Sequence, residues 1–159
     1  MSHKNQRQEL SPILNLVCLQ KSKTNWIYLK VNMNKKALQI PNAPAPIGPY
    51  SQAILANGML FISGQCPINP KTGLLEMETI ESATHLVMSN IEKLLHAAEM
   101  DFTHIVKCSI FLKDLGDFQK VNAVYATYFD SVPPARETVE VARLPLDSSI
   151  EISCIAIKS

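Results

Sequence analysis

The sequence of 159 residues predicts an α+β fold in which two helices pack on one face of a sheet of five or six strands. Two segments repeat apolar residues every three or four positions, which is the period of an amphipathic helix. Segments before, between and after them alternate apolar and polar residues or form short apolar runs, which is typical of strands. The elements follow in the order ββ(β)αβαββ. The composition, with 47% hydrophobic and 18% charged residues, is ordinary for one globular domain.

The first elements are a short strand and a tight hairpin. Leu38 to Ile40 is predicted as the first strand, and prolines at positions 41, 44, 46 and 49 then favour an extended chain up to Tyr50. The segments 51–56 and 59–63 flank Asn57-Gly58, a dipeptide that accepts positive φ at both turn positions. This pattern predicts a hairpin with a two-residue loop.

Gly64 follows an apolar run at the end of the second hairpin strand. A glycine at this place indicates either a β-bulge or the close approach of a ligand or another backbone, and the sequence leaves both interpretations open. The segment 69–72, Asn-Pro-Lys-Thr, then predicts a type I turn.

Two helices follow. Thr79 is predicted to cap the first, because its hydroxyl can accept a hydrogen bond from the first turn. Its apolar positions fall on one face and comprise Ile80, Ala83, Val87, Ile91, Leu94 and Ala98. Asp117 is predicted to cap the second helix, with Asn122 one residue off the inward face. That face comprises Phe118, Val121, Tyr125 and Tyr128.

Three strands are predicted around and after the second helix. The segment 105–113 alternates with period two, and its predicted inward side comprises Val106, Cys108, Ile110 and Leu112. Thr138 to Arg143 is predicted as a strand, and Ile150 to Lys158 as its return after a turn at 147–149. A turn this short predicts antiparallel neighbours, which would place Glu151 near Arg143 and in the neighbourhood of Arg136.

Arg136 is a candidate anion-binding residue. Pro133 and Pro134 precede it closely and restrict the backbone, so that the guanidinium is presented from a stiff support. Its planar fork can hold a carboxylate or phosphate through two parallel hydrogen bonds. The alternative, that Arg136 and Glu151 are ordinary surface charges, stays open on these residues alone.

The charge is unevenly distributed. Residues 1–36 hold seven Lys or Arg and one acid, whereas residues 37–159 hold eight Lys or Arg and thirteen acids, a net charge of −5. Residues 1–32 show no clean amphipathic pattern, and we expect a loosely ordered basic extension with Met33 as the natural start of a domain spanning 33–159. An acidic domain without a basic stripe argues against nucleic-acid binding.

Five short motifs in fixed order resemble a known family. They are APAPIGPYSQA, FISGQ, NPKTG, VKCSIFLKDLGDFQKVNAVY and PARETVEVARLP, and the resemblance runs from about Asn42 to the C-terminus. The family is that of the RidA/YjgF reactive-intermediate deaminases, which hydrolyse 2-iminopropanoate and 2-iminobutanoate. It implies a chorismate-mutase-like/YjgF fold, with a mixed six-stranded sheet and two helices on one face. It also implies a barrel-like homotrimer with active sites in clefts between subunits.

The resemblance assigns roles to six residues. Arg136 is expected to hold the substrate carboxylate, and Glu151 to orient or activate the attacking water. Tyr50 is expected to line the pocket, Gly64 to turn its carbonyl towards it, and Asn122 to lie near it. Thr138 stands where many members carry a cysteine; the contact there is chiefly through the backbone, so the replacement is not expected to abolish activity, and the resemblance leaves the substrate preference open.

No cofactor is expected, because the imine of the implied substrate is already electrophilic. No metal is expected, because the four histidines and four cysteines lack the spacing of metal ligands. The cysteines are expected to be small buried thiols in a cytoplasmic protein; a mitochondrial location is the alternative if residues 1–32 act as a presequence.

Two other functions stay open. One is a ribonuclease-like inhibitor of translation that binds RNA, and the other is a non-catalytic trimer that binds small molecules or acts like a chaperone.

Overall fold

The computed structural model describes residues 19–21, 27–29, 34–40, 48–130 and 132–158. The chain divides into two compact units, 1–34 and 35–159. In the first unit, β1 (Leu19–Lys21) and β2 (Ile27–Leu29) pair as a small antiparallel sheet. The other residues of the 1–32 extension lie outside the described ranges, so its loose order and the natural start at Met33 stay predictions.

The second unit contains a six-stranded sheet. Its strands lie in the order β3-β4-β5-β8-β6-β7, and all neighbours are antiparallel except the parallel pair β6–β7. The strands are β3 (Lys35–Leu38), β4 (Ala53–Ala56), β5 (Met59–Gln65), β6 (Ile105–Leu112), β7 (Ala135–Glu140) and β8 (Ile150–Ile157). The helices are α1 (Ile80–Ala97) and α2 (Phe118–Ala126). The predicted α+β class with a mixed six-stranded sheet is confirmed.

The hairpin at Asn57-Gly58 is confirmed. Asn57 and Gly58 have φ of 51° and 77°, the positive values that a two-residue loop of this type requires. The loop joins β4 to β5, with Ala56 opposite Met59. The first strand was predicted too late, because β3 begins at Lys35 and ends at Leu38. The first three prolines predicted to extend the chain fall within 41–47, and that segment lies outside the described residues.

The loop after β5 differs from the predicted type I turn. The backbone N–H of Gly73 donates to the carbonyl of Asn69 at 2.8 Å, a turn one residue wider than type I. The Asn69 side chain accepts a further hydrogen bond from the N–H of Lys71 at 2.8 Å. The asparagine side chain therefore stabilises the wider turn, as it commonly does in loops.

Helix α1 begins as predicted. The Thr79 hydroxyl accepts a hydrogen bond from the N–H of Ser82 at 3.0 Å, and the Ser82 hydroxyl accepts one from the N–H of Thr79 at 3.1 Å. This reciprocal capping box satisfies two amides that the first turn would otherwise leave unpaired. The predicted apolar face is confirmed as core, since Ala83, Val87, Ile91 and Leu94 are fully buried and Ala98 nearly so.

Two local predictions were wrong. Val106 is 44% exposed, because an irregularity between Ile105 and Lys107 reverses the alternation and puts Ile105 in the core instead. Asp117 makes no capping hydrogen bond to α2. Asp114 caps the preceding 3-10 turn instead, accepting a hydrogen bond from the N–H of Gly116 at 2.7 Å, and α2 continues directly from that turn.

The predicted pairing of the last two strands was also wrong. Strand β6 lies between β7 and β8, so the final strands are not neighbours. Strand β7 begins at Ala135, and its parallel pairing with β6 places Arg136 level with Cys108. Glu151 in β8 lies level with Phe111 instead. The connection through Leu144 to Ser149 crosses the end of β6, because Lys113 donates its backbone N–H to the carbonyl of Ser149 at 3.0 Å.

The core lies between the helices and one sheet face. Leu60, Ile110 and Ile152 of three adjacent strands are fully buried there with the apolar faces of α1 and α2. The opposite face, which we call the open face, carries Phe61, Val139 and Ile157 at 41%, 42% and 42% exposure. Among the described residues no helix is long and apolar enough to cross a membrane.

Candidate active site

The Arg136 side chain lies on the helix side of the edge strand β7. Its Nη1 donates a hydrogen bond to Oδ1 of Asn122 at 2.8 Å. Its guanidinium carbon lies 5.0 Å from the ring centre of Tyr125 and 5.7 Å from that of Phe118. Among the described residues no carboxylate lies within salt-bridge distance of Arg136. A guanidinium has five N–H donors, so most of them are available to a ligand.

Arg143 provides a contrast within the same segment. Its Nε and Nη2 donate to the two carboxylate oxygens of Asp147 at 2.7 and 2.9 Å. Arg143 is therefore paired with an acid of the same segment. Its fork is occupied by a protein carboxylate, whereas the fork of Arg136 has no such partner among the described residues.

Two predicted site residues accompany Arg136. The resemblance implied that Asn122 lies near the pocket, and the structure places it in hydrogen-bond contact with Arg136. Thr138 follows Arg136 on the same side of β7, and its hydroxyl is buried without a hydrogen-bond partner among the described residues. We call Asn122, Arg136 and Thr138 the arginine half-site.

Glu151 lies on the open face against Gly64. A Cβ built on Gly64 would lie 1.6 Å from Oε1 of Glu151 and 2.5 Å from its Cδ, so only a glycine leaves room for this carboxylate. The pairing of β5 with β8 shifts between Ile62 and Gln65, which is a bulge. The bulge interpretation of Gly64 is supported by this shift, and the group that approaches Gly64 closely is the Glu151 side chain rather than a backbone. The close approach of a ligand to Gly64 stays a prediction.

The surroundings of Glu151 alter its acidity. Burial raises the pKa of its carboxyl, because desolvation disfavours the charged form. Cys66 lies behind it, 9% exposed, and burial together with the negative charge of Glu151 raises the pKa of its thiol to about 11. The thiol is therefore neutral at ordinary pH, and Glu151 is a carboxylate with increased proton affinity.

Tyr50 lies at the same end of the sheet. The carbonyl of Ser51 accepts a hydrogen bond from the Ser63 hydroxyl at 2.8 Å, which places Tyr50 at the start of β4 beside the Gly64 segment of β5. Its side chain is 52% exposed and can contact a ligand or another subunit. We call Tyr50, Gly64 and Glu151 the glutamate half-site.

The two half-sites do not meet within one subunit. Arg136 shares its sheet face with the buried Cys108, towards the helices, whereas Glu151 shares the open face with Phe111. Two strand spacings and three residues along the strands separate their backbones by roughly 14 Å. The expectation that Glu151 returns to the neighbourhood of Arg136 was therefore wrong for a single chain.

Sequence reasoning missed the aromatic contacts of Arg136. Phe118 and Tyr125 were predicted only as core residues. The available signal was their spacing with Asn122, at i, i+4 and i+7, which aligns all three along one side of α2. Cys66 was likewise predicted as a buried thiol, and the described cysteines 66, 108 and 154 are free and buried.

Neither half-site contains a metal-binding cluster among its described residues. Among the residues that the structure describes, no group of three or more His, Cys, Asp or Glu side chains could hold a metal ion. The arginine half-site can therefore bind an anion, and the glutamate half-site offers a carboxylate whose proton affinity is increased by burial.

Comparison with known proteins identifies the family. Residues 40–158 match the family model described as Endoribonuclease L-PSP. A RutC family protein of Pyrococcus horikoshii is 50% identical over 124 residues, 78% of this chain and 98% of that protein. The chloroplastic Reactive Intermediate Deaminase A of Arabidopsis thaliana is 45% identical over 125 residues, covering 79% of this chain and 67% of the plant protein.

Solved structures agree with this assignment. The crystal structure of a Rid family protein from Yersinia pestis superposes with a TM-score of 0.75 at 46% identity, over 78% of this chain and 99% of that one. The family model covers the segment that carried the five motifs. The chain therefore belongs to the Endoribonuclease L-PSP family, which includes the RutC and Rid proteins, and the resemblance to RidA/YjgF is confirmed.

Proposed function

We propose that this protein hydrolyses reactive 2-imino acids, such as 2-iminobutanoate and 2-iminopropanoate, to 2-oxo acids and ammonia. The observation that carries the proposal is the unpaired fork of Arg136, which has no carboxylate partner among the described residues. A 2-imino acid places a carboxylate next to an electrophilic C=N carbon. Arg136 would hold the carboxylate through two N–H groups while Nη1 stays bonded to Asn122.

Glu151 supplies the proton chemistry. Its raised pKa suits a general base, which accepts one proton from water as the water oxygen bonds to the imine carbon. Glu151 passes this proton to the nitrogen, which receives the C=N π pair, so the carbinolamine has one hydroxyl and one amino group on the same carbon. Glu151 then takes the hydroxyl proton and delivers it to the amino group as the C–N bond breaks, so that the hydroxyl oxygen forms the new C=O and ammonia leaves. Holding both reactants in place lowers the barrier further.

The positions of the half-sites favour a site shared between two copies of the chain. Arg136 and Glu151 lie on opposite sheet faces within one subunit, so a complete site would combine the arginine half-site of one copy with the glutamate half-site of a neighbour. The partly exposed apolar side chains of the open face favour such association, since burying them removes apolar surface from water. We propose a closed homotrimer, as the resemblance implied, in which each cleft holds one site.

A coupled assay tests the activity. Threonine dehydratase generates 2-aminobutenoate, and the decay of the imine and the release of ammonia are followed with and without this protein. We expect faster decay with one ammonia per imine. Ligand binding without ammonia release would select the non-catalytic alternative.

A complementation experiment tests the composite site. Arg136→Ala and Glu151→Gln are expected to be inactive separately. After the two variants are unfolded together in equal amounts and refolded, a cyclic assembly should regain about a quarter of the wild-type rate, because about one site in four then combines both intact residues. Arg136→Ala refolded alone is the control. A mixture that stays inactive, although mass spectrometry shows mixed oligomers, contradicts the shared site.

A further inference from the structure

Arg136 is held in place without an acidic partner among the described residues. An arginine that must bind a substrate carboxylate cannot be fixed by a protein carboxylate, which would occupy the same fork and cancel its charge, as Asp147 does for Arg143. The contacts of Arg136 avoid this conflict. Asn122 accepts a hydrogen bond from one N–H of the guanidinium, and the two aromatic rings contact the guanidinium without using any N–H.

Aromatic rings fix a guanidinium through their faces. The negative face of the ring attracts the cation and leaves the N–H groups at the edge of the guanidinium free. Tyr125 lies 5.0 Å and Phe118 5.7 Å from the guanidinium carbon, both within the distance at which this attraction operates. They are two turns apart on α2 with Asn122 between them, so one helix supplies the whole support.

Tyr125 itself is anchored in the core. It is 4% exposed, and its ring centre lies 4.8 Å from that of Phe129. Its hydroxyl is buried beside the Cys108 thiol and has no hydrogen-bonding oxygen or nitrogen among the described residues to fix it. The ring rather than the hydroxyl is therefore the part of Tyr125 that acts on Arg136.

We propose that Phe118 and Tyr125 form an aromatic bracket that positions the Arg136 guanidinium for binding the substrate carboxylate. The inference rests on the proposed function for the identity of the ligand, a 2-imino or 2-oxo acid. Phe118 and Tyr125 are positioning residues, since they act through Arg136 rather than on the reacting atoms. The bracket explains how this arginine keeps a fixed geometry on the edge strand while its charge stays available.

The experiment measures binding of 2-oxobutanoate, the carboxylate product, by calorimetry. The variants are Tyr125→Leu, Tyr125→Phe and Phe118→Leu, with Phe102→Leu as the control because its ring packs on Tyr128 and Phe129, away from Arg136. Each Leu variant of the bracket should bind about tenfold more weakly, within the range of a desolvated cation–π contact. Tyr125→Phe and Phe102→Leu should stay within about twofold of the wild type.

Two further measurements separate positioning from a general structural role. The neutral amide 2-oxobutanamide should bind the wild type and the bracket variants with equal weakness, since the bracket acts only on recognition of charge. In the imine assay, KM should rise by the same factor as the dissociation constant while kcat changes little, because the clamp holds substrate and transition state alike.

Several outcomes would overturn the bracket. They are unchanged binding in both Leu variants, an equal loss in Tyr125→Phe, or a loss that the amide shares. Should Tyr125→Leu fail to fold, the half-buried Phe118→Leu decides the question. If the binding series comes out as expected while the imine is not hydrolysed, the bracket is supported and the deaminase proposal fails. Imine hydrolysis together with an unchanged binding series supports the deaminase and refutes the bracket.

Discussion

Replacing Gly64 with alanine should inactivate the protein without unfolding it. The new Cβ would lie 1.6 Å from Oε1, 2.5 Å from Cδ and 2.9 Å from Cγ of Glu151, well inside van der Waals contact. Gly64 does not have a positive φ, so its backbone conformation accepts an alanine. The conflict therefore falls on the Glu151 side chain, which has to rotate away from β5.

The expected size of the effect follows from the proposed role of Glu151 as general base. A positioned general base contributes roughly 10²- to 10⁴-fold to the rate, and a carboxylate displaced by more than about 1 Å loses most of that contribution. We expect kcat for imine hydrolysis to fall at least about a hundredfold. KM should change much less, because carboxylate binding depends on Arg136 in the other half-site.

The matched control is Gly116→Ala. A Cβ on Gly116 would lie 2.9 Å from Oδ1 of Asp114, an exposed side-chain end that can move by a few tenths of an ångström. That variant should keep full activity. Circular dichroism and thermal melting check that both alanine variants are folded. A folded Gly64→Ala protein with the wild-type kcat would refute the assignment of Glu151 as the base.

Four other changes have definite expected outcomes. Arg136→Lys should raise KM at least about tenfold although the charge is kept, because the fork is lost, whereas Arg143→Ala should leave both kinetic constants unchanged. Glu151→Gln should melt at a higher temperature than the wild type at neutral pH. This difference in melting temperature should vanish below pH 4.5, the usual pKa of the group, because a carboxyl whose pKa is raised in the folded state destabilises the protein only once it ionises. For the same reason, the acid limb of the wild-type pH–rate profile should lie above the usual pKa of glutamate. Thr138→Val should keep its activity and gain stability, since it removes a buried hydroxyl that has no partner among the described residues. Differential scanning calorimetry and steady-state kinetics measure these effects.

The sequence was sufficient where local chemistry decides the structure. Asn57-Gly58 specified its hairpin because few dipeptides tolerate positive φ at two successive positions. Thr79 specified the start of α1 through its hydroxyl. The apolar period of α1 identified the residues that form the core. These features depend on neighbours in sequence, and periodicity and turn chemistry report on such neighbours directly.

The pairing of strands that are distant in sequence could not be predicted in this way. Nothing in the segment 133–158 indicates that β6 inserts between β7 and β8, because a short connection is compatible with a hairpin and with a crossing over one strand. The inversion at Val106 also required the structure, since a bulge exchanges the two sides of a strand without changing its composition. The site residues themselves came from the family motifs, and their distribution over two faces became visible only with the sheet order.

That distribution has a physical consequence for the chemistry. A guanidinium and a carboxylate brought together in one subunit would form a salt bridge, which would fill the fork of Arg136 and lower the pKa of Glu151. Placed on opposite faces, each keeps what the proposed reaction needs: Arg136 has a fork without a carboxylate partner among the described residues, and Glu151 is a desolvated carboxylate of raised pKa. In the proposed assembly they face each other only across the substrate, so the packing of subunits, rather than the fold of one chain, sets the distance between carboxylate clamp and base. A substitution on the open face far from both residues can therefore reduce turnover by loosening the interface while the subunit itself stays folded.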